Sequence, residues 1–258
     1  MYSVIHDILC DRKGGDIFTC FGPFHICFIL FIFALICVVS ILIKNKSGAI
    51  REKTCVFFIS AAFALYIADF FLMPFAYEEI DIEKLPFHVC TAMCVMCFLS
   101  RHVKFLSEFK TNFALLGFIS NLVYLIYPAG VMWHAVHPFT YRVVQTLLFH
   151  GVMTAYGFLT IVFENGFSVK NFRKDIAVLV GMTLWALLGN FLYNGSAGSY
   201  SANYNWFFVT ADPFGILDKS VSVFIMPFLN IIIFFAAEML VYFIYHSAKR
   251  VLSKKNHN

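Results

Sequence analysis

Residues 24–43 read FHICFILFIFALICVVSILI, a run with no charged side chain, and Lys44-Asn45-Lys46 follows at once. At 1.5 Å rise per residue, a helix of this run is about 30 Å long, which matches the hydrocarbon core of a bilayer. The segment is therefore expected to cross a membrane. Six more apolar runs follow: Cys55–Phe75, Pro86–Leu106, Phe113–Met132, Val143–Phe163, Ile176–Tyr193 and Val221–Tyr245. They show no sustained alternation, and most are too long for barrel strands, so helices are favoured. The third is strictly apolar only to Leu99 and then reads Ser-Arg-His-Val-Lys. It counts as a span because Arg101 and Lys104 can snorkel to the interface.

Composition points the same way. Of 258 residues, 60% are hydrophobic and 13% charged, and the mean hydropathy is +0.78. A soluble domain carries about 25% charged residues, and half that number cannot cover a water-facing surface. This argues against a soluble enzyme and against a nucleic-acid binder. The chain also holds 33 phenylalanines, more than a polar-surfaced globule can bury.

The charges orient the spans. Connections after the odd-numbered runs carry Lys44, Lys46, Arg51, Lys53, Arg101, Lys104, Lys110, Lys170, Arg173 and Lys174; the tail adds Lys249, Arg250, Lys254 and Lys255. That is 14 of 19 basic residues on one side. Most acids, including Asp7, Asp11, Asp16, Glu78, Glu79, Asp81 and Glu83, lie on the other. Positive charge marks the cytoplasmic side. The expected fold is an all-α, seven-transmembrane-helix bundle with its N-terminus outside and its C-terminus cytoplasmic. Residues 1–23 form an extracytoplasmic leader, 24–245 the membrane domain and 246–258 a basic tail. The leader is acidic and lacks a basic start and a small-residue cleavage site, so it does not read as a signal peptide. The setting is the cell membrane in a bacterium or an endomembrane in a eukaryote.

One outer connection, 194–220, is longer than the roughly 12–15 residues usual for a loop without a function. Tyr200, Tyr204, Trp206, Phe207 and Phe208 make it aromatic, and a lid resting on the helix ends is the expectation. Asn194-Gly195-Ser196 within it is a glycosylation sequon, meaningful only in a secretory-pathway cell.

Cys90, Cys94 and Cys97 stand at i, i+4 and i+7, on one stripe of the third helix, and read as a small-residue packing seam. Cys10 and Cys20 lie outside and can pair only in an oxidising compartment. Pro23-Phe24-His25-Ile26-Cys27 opens the first run, and Pro86-Phe87-His88-Val89-Cys90 opens the third. Proline suits a first helical turn, so the repetition is expected to set His25 and His88 at similar depth. His150 lies in the fifth run, the next to point the same way. Ionisable residues inside spans tend to face the bundle interior and are functional candidates by default. Zinc on His25, Cys27, His88 and Cys90 is awkward, because residues two apart on a helix point about 200° away from each other, whereas helical metal motifs use i, i+3 or i, i+4. No metal and no cofactor is expected. His102, His134 and His137 read as solvated or interfacial. The last run has no lysine for a retinal Schiff base, and no Walker loop, Gly-x-Ser-x-Gly, His-Glu-x-x-His or Gly-x-Gly-x-x-Gly occurs.

Phe18…Phe24-His25, Leu85-Pro86-Phe87-His88-Val89-Cys90, Phe149-His150-Gly151 and Asn203-Tyr204-Asn205-Trp206-Phe207 followed by Asp212-Pro213 occur in that order. Together they resemble the YwaF-like family of bacterial integral membrane proteins, over roughly residues 18–245. That family is similar to a eukaryotic group of membrane acyltransferases that place acyl chains on lyso-ether phospholipids. The resemblance implies a nucleophilic cysteine directly before the third-span histidine. Here Phe87 holds that position, and the nearest thiol is Cys90. His88 carries over residue by residue, while His150, Asn203 and Tyr204 match the bacterial motif without an assigned role.

The reading is a lipid-active acyltransferase or acyl hydrolase with a His-centred intramembrane site. Acyl transfer needs a nucleophile, a base and donors for an oxyanion. The candidate catalytic residues are His88, His150 and Cys90, and the candidate substrate-binding residues are His25, Asn203 and Tyr204. The departure at Phe87 weighs toward a water or hydroxyl activated by histidine, with Cys90 dispensable. Expected partners are membrane lipids, with a phospholipid or lysophospholipid as substrate, and no nucleic acid. The alternatives are a small-ligand or metal binding or transport protein with its pocket under the lid, and a non-catalytic scaffold. Asp69 and Glu238 read as the only carboxylates inside the spans, the latter free to snorkel, which is thin for an ion-driven pump.

Overall fold

A computed structural model describes residues 16–77, 82–132, 136–164, 167–194, 204–210, 212 and 215–255. Among these, the regular structure is entirely helical. The main helices are α1 (Pro23–Ile43), α2 (Gly48–Tyr77), α3 (Val89–Ser100), α4 (Lys110–Ile126), α5 (Tyr141–Phe163), α6 (Phe172–Asn194) and α7 (Lys219–Lys255). Single turns at Lys104–Ser107 and Ala129–Met132 flank α4.

Six helices are long and apolar enough to cross a membrane, and α3 is the exception. It has 12 residues, about 18 Å of helix against a core near 30 Å. Both ends of the expected third span have left the helix for tertiary partners. At the start, Pro86 does not enter the first turn; its carbonyl accepts the indole N–H of Trp185 at 2.6 Å, and His88 is the N-cap. At the far end, Arg101 does not snorkel. Its side chain is 1% exposed and pairs with Glu52 at 2.7 Å and Glu164 at 2.5 Å. Lys110 joins Glu164 at 2.6 Å, and Arg101 Nη2 also donates to Tyr156 Oη and Thr160 Oγ1. An arginine with such partners inside protein is cheaper than one stretched toward water past apolar neighbours.

That ion network joins the start of α2, the ends of α3 and α5 and the start of α4, so these termini share one end of the bundle. α5 is the central helix, packed against α1, α2 and α4. It approaches α4 closely at Gly157, where a Cβ would come within 2.6 Å of Phe118 Cβ and 2.9 Å of the Ala114 carbonyl. The three cysteines of the α3 stripe are buried in the seam. The buried carboxylates are more numerous than the sequence reading holds: Asp175 and Glu164 join Asp69 and Glu238, and Glu238 is buried within the bundle instead of snorkelling.

Candidate functional site

At the end of the bundle opposite the ion network, α2, α3, α4 and α5 enclose a cavity of about 190 Å³. His88 and Cys90 reach it from the start of α3, His150 from the middle of α5 and Tyr124 from the last turn of α4. Lys84, Asp69 and Arg142 bring charge to its wall. The Lys84 ammonium lies 2.7 Å from Asp69 Oδ2, and the Tyr66 hydroxyl donates to the Lys84 carbonyl at 2.9 Å, which ties the turn Ile82–Lys84 to α2.

The orientation of His150 follows from its neighbours. The Asn121 amide nitrogen donates to the Gly117 carbonyl at 2.7 Å, one turn back on α4. Its Oδ1 is therefore the end presented to His150 Nδ1, 2.7 Å away. A carbonyl oxygen only accepts, so Nδ1 carries the proton and Nε2 keeps its lone pair. Tyr124 stacks on the imidazole with ring centroids 3.9 Å apart, and the ring is held on two sides. The imidazole is thereby held in one orientation. Nothing in the sequence spacing reveals Asn121 as its partner; the available signal was an amide inside an apolar span, which seeks a partner within the bundle.

His88 is placed differently. Its carbonyl accepts from Ala92 N–H at 2.8 Å and Thr91 Oγ1 at 3.1 Å, opening α3, while its ring stands edge-on to Phe208, with centroids 5.9 Å apart. Phe87, one residue earlier, points elsewhere. It stacks on Trp185 and packs against Tyr193 and Trp206, over Gly189, where a Cβ would meet the ring at 2.4 Å. Position 87 therefore faces α6 and the aromatic segment, and position 88 the cavity.

A family model described as the TMEM164 family matches residues 20–247. The chain belongs to the TMEM164 family. No curated protein and no solved structure matches it. Membership supports a multi-pass membrane protein, as the apolar helices do.

Of the residues singled out in this TMEM164 family chain, His88, Cys90 and His150 share the cavity, and His25 does not. Its Nδ1 accepts the Phe21 N–H at 3.0 Å, so its Nε2–H donates to the Leu125 carbonyl at 2.9 Å. Both nitrogens are spent on backbone, pinning the start of α1 to the end of α4. The repeated motif thus has two outcomes, because Pro23 starts a helix and Pro86 precedes one. Asn203 lies outside the described residues, as do Cys10 and His134.

Tyr204 and the segment after it fold back onto helix ends. The Tyr204 N–H donates to Asn194 Oδ1 at 2.7 Å, and the Asn194 amide returns a bond to the Tyr204 carbonyl. Asn190 bonds both the N–H and the carbonyl of Trp206, and Asn230 bonds the carbonyls of Phe207 and Phe208. Phe207 and Phe208 both take positive φ, 56° and 51°, a conformation uncommon for bulky residues and held here by those bonds. Among the described residues, no group of three or more His, Cys, Asp or Glu is placed to hold a metal ion.

Proposed function

We propose that this membrane protein transfers or hydrolyses an acyl group of a phospholipid at the cavity of His88 and His150. One observation carries the reading: an imidazole inside the bundle, with Nδ1 committed to Asn121 and Nε2 left as a base, beside a second histidine. His25, by contrast, has both ring nitrogens bonded to backbone.

A second feature fits a lipid substrate. Between α1, α2 and α5 runs an apolar groove lined by Leu35, Phe58, Ala61, Leu65, Leu148 and Val152. Leu65 and Leu148 of the groove adjoin Tyr66 and Phe149 of the cavity in sequence. An acyl chain in the groove would run beside the polar group that must react, with Lys84 and Arg142 as cations for a phosphate.

In the chemistry that follows, His150 Nε2 takes the proton of an acceptor hydroxyl, from a lysophospholipid or water. The oxygen attacks the acyl carbonyl, a tetrahedral oxyanion forms and collapses, and the bond to the leaving oxygen breaks. The imidazolium formed at His150 then returns that proton to the leaving oxygen, and the His88 ring N–H donates a hydrogen bond to the oxyanion. Cys90 is a wall residue in this scheme, consistent with phenylalanine at position 87. The scheme also rests on the resemblance to the YwaF-like proteins and the acyltransferases. The accompanying topology is seven crossings, with α3 and its irregular flanks buried in protein as the third, and the basic end cytoplasmic.

The test is turnover of a fluorescent acyl donor with lysophospholipid by purified protein. His88→Ala and His150→Ala should each abolish it while thermal unfolding stays near that of the wild type. Full activity in both variants would remove the enzyme assignment.

A further inference from the structure

A second polar group lies where α4, α6 and α7 meet, far from the histidine cavity and near the basic end. Asp175, in the first turn of α6, accepts from Asn112 Nδ2 at 2.5 Å and from the Tyr242 hydroxyl at 3.1 Å. Glu238 stands four residues before Tyr242 on α7, hence on the same face as the tyrosine that bonds Asp175. Asp175 and Glu238 are both 0% exposed, and no lysine or arginine among the described residues pairs with either.

The group has an excess of acceptors. Both Glu238 oxygens and Asn112 Oδ1 are buried with no hydrogen-bond donor among the described residues. Because Asn112 Nδ2 is bonded to Asp175, its Oδ1, on the same amide carbon, sits beside that carboxylate. The Asp175 charge is met by its two hydrogen bonds and by the start of its helix. Glu238 has no such partner among the described residues. A proton there gives a single hydrogen bond and leaves another acceptor bare, whereas a small hard cation takes several oxygens at once.

We infer that Glu238, Asp175, Asn112 and the Tyr242 oxygen form a binding site for a small monovalent cation of the sodium type. The ion ties α7 to α4 and α6, and it is separate from the acyl-transfer cavity.

Thermal unfolding of the detergent-purified full chain tests this in sodium, potassium or choline chloride at one pH and ionic strength. The midpoint should rise saturably with sodium over choline, and radioactive sodium should bind at about one ion per chain. Glu238→Gln keeps the shape and removes the charge, and should weaken apparent sodium affinity by about 10-fold or more. Should that variant not fold, Asn112→Ala takes its place, with weaker binding expected. No bound sodium and no sodium-dependent shift in the wild type would overturn the site and leave Glu238 a proton-neutralised acid. A sodium effect unchanged in the variants would overturn its location. Neither readout uses turnover, so this inference and the enzymatic reading stand or fall apart.

Discussion

Asn121 and His150, 29 positions apart on neighbouring helices, meet at 2.7 Å through Oδ1 and Nδ1, and the amide's second bond, to Gly117, fixes which way it faces. Removing the amide frees the imidazole to rotate or change tautomer while keeping the base of the proposed scheme. Asn121→Ala should lower kcat about 100-fold, with KM little changed. The pH–rate profile should shift with it, which a packing defect alone would not produce. An unaltered kcat would leave Asn121 as a helix-packing residue.

Cys90→Ser separates two chemical routes. A thiolate nucleophile replaced by hydroxyl loses orders of magnitude, because serine at its ordinary pKa is a poor nucleophile. Under the proposed scheme, in which His150 activates the acceptor directly, activity within about 5-fold of wild type is expected. A drop of about 1000-fold, with accumulation of a thioester in the wild type, would replace this scheme with the covalent one.

Arg101 holds two carboxylates, one of them on Glu164, whose side chain is 6% exposed. Arg101→Met leaves Glu164 buried with only Lys110 as a counter-charge. Breaking such a pair costs about 3–5 kcal/mol, while replacing both partners costs far less. Chemical unfolding in detergent should show the large loss for Arg101→Met and partial recovery in Arg101→Met/Glu164→Gln. Equal losses in the single and double variants would show that the ions are not coupled.

Asn190 makes two bonds to the Trp206 backbone. At about 1 kcal/mol per bond, Asn190→Ala should loosen the segment by about 2 kcal/mol without unfolding α6. Faster proteolysis near Trp206 and stronger quenching of its fluorescence by a soluble agent would register the release. Unchanged cleavage and quenching would mean that the Asn194 and Asn230 bonds and the aromatic stacking hold the segment without Asn190.

Orientation is open to labelling. In a cysteine-free background, Gly48→Cys should resist an impermeant thiol reagent until the membrane is opened, and Ile80→Cys should react at once. The reverse pattern would invert the bundle and place the histidine cavity toward the cytoplasm.

The apolar runs by themselves determined the helical membrane fold. Six of the seven became long helices close to where hydropathy put them, because burying backbone in lipid forces each run to satisfy its own hydrogen bonds. The sequence also made His88 and His150 conspicuous, as ionisable groups inside apolar surroundings. It did not decide which way a side chain faces or what it meets. His25 and His88 share a local motif, yet one is sealed by backbone and the other lines the cavity. Arg101, read as snorkelling, is drawn inward by Glu52 and Glu164, and Asn121 acquires a role only through His150. A span's length and polarity are properties of consecutive residues. Partner identity depends on the rotation and depth of helices distant in the chain, set by close contacts such as Gly157 on Phe118 and Phe87 on Gly189. Those contacts exist only once the bundle is packed.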